Sequence, residues 1–207
     1  MVLFITINHH NFYKADIHSL SMAMSHSTNN RREIEEKLKT LGDYVKIDYL
    51  ARCLKEGPDF DTRKFILTNL SKLYEAKGMY AESGKNLLAG ADINTTYEAK
   101  IADFMKAAEL FMKSNDFSDA DVAVTKALAS ANTKQKAQIK AQQKALYNAQ
   151  AKILIAKDKR SHAVQAYEKL MTFDMTPQEK KDTQTILLNL YEKLGRVREF
   201  YNLKRGM

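Results

Sequence analysis

Apolar positions along this chain recur at spacings of three and four, and the runs they form end in turns of one kind. Three segments close alike: Leu38 leads to Gly42 and Tyr44, Tyr74 to Gly78 and Tyr80, and Tyr191 to Gly195 and Val197. In each, Gly follows an apolar residue at the fourth position, and Tyr or Val comes two further on. A fourth segment sets Asn115 between Phe111 and Phe117, and a weaker fifth sets Asp158 between Leu154 and Arg160. Gly and Asn tolerate the left-handed conformation that ends a helix, so each position predicts a helix stop. The turns at 42, 78, 115, 158 and 195 are offset by 36, 37, 43 and 37 residues.

Matching stripes flank these turns. Leu67, Leu70 and Tyr74 precede one, and Phe104, Ala107 and Phe111 precede the next. After the turns come small residues, Ser83, Ala120 and Ala163, followed four positions on by Leu87, Val124 and Tyr167. Such spacing puts each set on one helical face. Each unit therefore reads as helix, tight turn, helix. A lone helix pair cannot bury its stripe, so the units are expected to stack. Asn30 with Glu33, and Thr176-Pro177 with Glu179, carry helix-start signatures. The predicted class is all-α.

Composition agrees. Seven Gly and two Pro in 207 residues are too few for the turns of an all-β protein, and 44% apolar residues exclude general disorder. A single cysteine, Cys53, excludes a disulfide scaffold and reads as a buried thiol. No apolar run approaches the length of a membrane span. Val2 to Ile7 lacks the flanks of a secretory signal, so a cytoplasmic location is expected. His9, His10, His18 and His26 show no ligand spacing and read as part of a polar tail rather than a metal site. Residues 1–29 are expected to be a flexible non-repeat segment.

The units resemble the tetratricopeptide repeat, a pattern of about 34 residues. The best match is Phe104, Ala107, Ala108, Phe111, Asn115, Phe117, Ala120, Val124 and Ala127. Phe200 departs from the pattern, standing where a small residue is usual. The resemblance implies a right-handed superhelix of four to five units over residues 30–207, near 30–57, 61–92, 99–131, 134–173 and 177–207. It also implies a concave groove lined by the first helix of each unit. Carried over by position, the groove residues are Phe65, Lys72, Met105, Glu109, Met112, Asn148, Lys152 and Asn189. The implied function is a non-catalytic protein-interaction scaffold, without cofactor or metal, that captures a peptide or helix. The Lys-and-Asn clamp that some family members use for a terminal carboxylate is not reproduced.

Charge adds a second reading. The formal net charge is +8, and residues 134–160 hold eight basic residues against one acid. Lys136, Lys140 and Lys144 fall on one stripe of a helix, with Lys134 beside them, while Ile139, Leu146 and Ile153 form another stripe about 120° away. This is either a solvated face opposite a core stripe or a surface for an anionic partner: RNA, an acidic peptide or anionic lipid. Glutamines and alanines interleave the lysines, and no aromatic platform accompanies them. Gly78 to Asn86 is a poor likeness of a phosphate loop, with five residues between its glycines rather than four and Asn where Ser or Thr binds magnesium. His162 reads as a surface residue at a helix start. No nucleophile–base or acid–base pair stands out, so an enzyme is not expected. Near the C-terminal end, Phe200 and Leu203 are expected to face inward and Tyr201 outward, a candidate surface for weak self-association.

Overall fold

The computed structural model describes residues 30–207, so the histidines at 9, 10, 18 and 26 and the segment expected to be flexible lie outside the described residues. Ten helices and no strand occur among the described residues. They are α1 (Arg31–Thr40), α2 (Asp43–Lys55), α3 (Phe60–Ala76), α4 (Tyr80–Ile93), α5 (Tyr97–Ser114), α6 (Phe117–Ser130), α7 (Thr133–Ala156), α8 (Arg160–Leu170), α9 (Pro177–Lys193) and α10 (Val197–Arg205). The described residues are all-α, as the periodicity predicts.

Helix starts follow the capping chemistry. The Asn30 side chain accepts from the Glu33 amide at 3.0 Å. Its reciprocal bond runs from the Asn30 side-chain amide to the Glu33 carboxylate, at 2.9 Å, rather than from the backbone. At Thr176 the capping box is complete, with Pro177 opening α9. A further complete box, Asn132 with Gln135, opens α7.

Helix stops repeat one backbone motif four times. Gly78, Asn115, Asp158 and Gly195 all have positive φ, between 53° and 72°. After each, an amide reaches back five residues: Met79 to the Tyr74 carbonyl at 2.9 Å, Asp116 to Phe111 at 2.9 Å, Lys159 to Leu154 at 2.8 Å and Arg196 to Tyr191 at 2.8 Å. Together with the shorter bond made by the positive-φ residue itself, this is the Schellman closure. Gly42 does not share it. It has φ −76° and caps the start of α2, because glycine is also accepted where a helix begins. The left-handed residue of that region is Gly57, after α2.

The chain divides into two compact units, and the division falls inside α3, between Ile66 and Leu67. The described part of the first unit buries Ile34, Leu50, Cys53 and Ile66. There the Arg31 guanidinium bonds Glu35 at 2.8 Å and Asp61 at 2.9 Å and lies 5.0 Å from the centre of the Phe65 ring.

In the second unit, Leu67–Met207, α4 packs on α5, α5 on α6, α7 on α8 and α9 on α10. Small residues permit close approach. Ser83, Ala120 and Ala163 are fully buried, as their place after the turns predicts. The Ser83 hydroxyl donates to the Ser71 carbonyl at 2.8 Å. Phe200 stays half-buried, and no residue of α10 is fully buried. Ile153 departs from the expected stripe, being 44% exposed while Leu154 is buried. Fourteen residues at 100° each fall about 40° short of whole turns, so a seven-residue repeat drifts off the face that begins at Ile139.

Two outcomes follow for stability. Ala120→Leu should cost about 1–3 kcal/mol in urea unfolding, because the added atoms have no space at a fully buried position. Asp158→Gly should gain about 0.5–1 kcal/mol by relieving a left-handed non-glycine residue, since the Arg160 pair it gives up is exposed.

Candidate functional site

Helices α5 and α7 pack beside one another in the second unit. On α5, Ile101, Met105 and Glu109 lie one turn apart each. On α7, Gln135, Gln138, Gln142, Ala145 and Ala149 alternate by three and four. Between these rows runs an open groove. One part, of about 500 Å³, is lined by Met105, Lys106, Glu109, Gln142, Leu146 and neighbouring alanines. The other, of about 340 Å³, is lined by Glu98, Ile101, Met105, Gln138 and Gln142 among others. The two parts share Met105 and Gln142, which makes them one groove with an apolar floor and polar rims.

One rim is an ion network. Lys106 lies 3.1 Å from Glu75 and 3.4 Å from Glu109, and Lys113 lies 2.6 Å from Glu109. Burial pushes the Glu109 carboxyl up, but the Lys113 hydrogen bond and the charges of Lys106 and Lys113 outweigh it, leaving its pKa below the usual value. Burial likewise pulls Lys106 down, while Glu75 and Glu109 together raise it.

The residues expected to line a groove separate. Met105 and Glu109 sit in it. Met112 does not, being only 2% exposed. At that end of α5 three consecutive residues, Leu110, Phe111 and Met112, are all buried, so neighbours cover more than one side of the helix. Asn148 and Lys152 line a smaller cavity of about 250 Å³, with Leu170, Met175, Glu179 and Ile186. Phe65 belongs to the first unit, beneath Arg31. Lys72 and Asn189 are exposed but line neither cavity. The α7 wall was missed, although Gln135, Gln138, Gln142, Ala145 and Ala149 carry the three-four spacing of a single face.

Of the basic stripe, Lys134, Lys136 and Lys140 are exposed. Lys144 is committed, donating to the Asp174 carbonyl at 2.9 Å and pairing with Glu179 at 3.0 Å. Tyr147 is fully buried, and its hydroxyl donates to Asp121 at 2.9 Å. Gln143 also donates to Asp121 at 2.9 Å, and Lys169 pairs with it. Burial first, and then the Asp121 charge, raise the Tyr147 pKa. The network locks α7 to α6 and α8. His162 is exposed in the first turn of α8. Among the described residues no three His, Cys, Asp or Glu side chains gather to hold a metal ion. No helix among them is long and apolar enough to cross a membrane.

No family model and no curated protein matches the chain. Among solved structures it is similar to one described as the crystal structure of BtubC (BKLC) from P. vanneervenii, at 15% identity, covering 92% of this chain and 82% of that one, with a TM-score of 0.34. A likeness of that strength carries no argument about fold or function.

The rim predicts a pH dependence. A carboxyl whose folded pKa is depressed stabilises the fold above its unfolded pKa, and that stability is lost as pH falls through the folded value. Wild type should therefore exceed Glu109→Gln by about 0.5–1 kcal/mol at neutral pH, a figure kept small by solvent screening. Thermal melts should show the difference vanishing once the pH falls below the ordinary carboxylate range.

Proposed function

We propose that this chain is a non-catalytic interaction scaffold that takes a peptide or amphipathic helix of a partner protein into the groove between α5 and α7. The observation that carries this reading is the groove, with Met105 and Leu146 on its floor and charge along its edge. Such a trough suits an apolar anchor with flanking charges, and methionine adapts to irregular anchors. The four identical helix closures and their near-regular offsets support a tetratricopeptide-like solenoid in the second unit. In that arrangement helix pairs stack as a right-handed superhelix, and α5, α7 and α9 line its inner side. The cavities beside α7 are what such stacking would leave.

The second reading is a nucleic-acid partner held by α7. The exposed Lys134, Lys136 and Lys140 favour it, and the commitment of Lys144 to Asp174 and Glu179 weighs against it.

A photo-crosslinking residue at the exposed position 145 tests the choice. It should capture a discrete polypeptide, whose binding is lost in Ala145→Arg and kept in Lys136→Glu/Lys140→Glu. Binding lost only in the lysine variant, with affinity falling more than about tenfold between about 50 and 200 mM salt, would favour three or more phosphate contacts and reverse the assignment.

A further inference from the structure

We propose that the groove between α5 and α7 receives α10 of a second copy of this chain, in a head-to-tail contact. The inference rests on reading that groove as a docking site, and it names one occupant. On α10, Phe200 and Leu203 pack against their own core. Val197 and Tyr201, four residues apart and so on one face, are 62% and 55% exposed. The helix thus presents an apolar ridge more than half of which faces outward, although the Tyr201 ring also stands edge-on to Phe200 at 5.4 Å.

Charge and size fit the groove. Arg198 is exposed on α10 and Glu98 is exposed on the groove, and neither forms an ion pair among the described residues. At the other end of the groove Glu75 and Glu109 are already paired with Lys106 and Lys113, so the charge match rests on Arg198 and Glu98. From Glu98 to Glu109 is eleven residues, about 16 Å along α5, and α10 with its nine residues is about 13 Å long. Met105 gives the floor a side chain that can adjust to the Tyr201 ring, and Gln138 and Gln142 offer amides to its hydroxyl. Because ridge and groove are different surfaces, the contact is heterologous and chains add in line. One short helix buries less than the roughly 1,200 Å² of a stable interface, so the association is weak and concentration-dependent.

Sedimentation velocity of the full chain from about 10 μM to 1 mM tests this, a range suited to weak contacts. The wild-type sedimentation coefficient should rise with concentration. Tyr201→Lys and Ala145→Arg, both at exposed positions and checked for folding by circular dichroism, should each stay monomeric. An equimolar mixture of the two should recover a dimer, because one chain keeps its groove and the other its α10. Glu98→Arg should weaken association at least about tenfold, and adding Arg198→Glu to the same chain should restore it to within about threefold. A wild type that is monomeric throughout, an Ala145→Arg chain that still associates, or a mixture that stays monomeric would each overturn the proposal. Tyr201→Lys leaves the groove intact, so capture of a partner by that variant, beside a monomeric wild type, would sink α10 docking while leaving the scaffold reading in place. Loss of capture in neither groove variant would count against the scaffold reading instead.

Discussion

The ring of Phe111 occupies the space that a side chain at position 84 would need. A Cβ at Gly84 would stand 2.9 Å from the Phe111 Cε1 atom. Gly84 lies inside α4, where glycine costs about 1 kcal/mol of helix propensity relative to alanine. The close approach of α4 to α5 offsets that cost by seating a large aromatic side chain in full burial. Phe111 also offers the carbonyl that closes α5 and turns the chain into α6. One residue thus ties three helices together, and the placement of α5 that results sets one wall of the groove.

The opposite wall depends on polar satisfaction rather than on close approach. Asp121 collects Gln143, Tyr147 and Lys169, so residues from α6, α7 and α8 meet at one carboxylate. Gln150 donates to Asn115 at 3.0 Å, joining α7 to the turn that ends α5. The Phe117, Tyr147 and Phe173 rings follow one another at 5.6 and 5.8 Å. The two walls leave Met105 between them as the adaptable element. That combination gives the groove a firm frame with a pliant floor.

What the sequence disclosed depended on how few residue types satisfy a given position. Left-handed helix ends accept few residues, so Gly78, Asn115, Asp158 and Gly195 were readable in advance. Gly42 is ambiguous in sequence because glycine also serves at helix starts, and Gly57 carries no aromatic at the usual place after it. Ile153 leaves the stripe because a repeat of seven does not close on a helix that turns every 3.6 residues. In the groove, Met105 and Glu109 were legible from their position on α5. Met112 shares their face, but its burial depends on neighbouring helices that periodicity does not reveal. The α7 wall escaped notice because glutamine and alanine look like a solvated face until a second helix stands opposite them. The commitment of Lys144 rests on Asp174 and Glu179, thirty and more residues away in the chain.

The most direct measurement is a double-mutant cycle on Gly84 and Phe111, read by urea unfolding. Gly84→Ala should destabilise by about 1–3 kcal/mol despite its better helix propensity, because the added methyl group meets the ring. Phe111→Leu should be destabilising alone, and in its presence Gly84→Ala should lose most of its cost, giving a coupling of about 1 kcal/mol or more. A Gly84→Ala variant as stable as wild type or more so, with effects that simply add, would contradict the account.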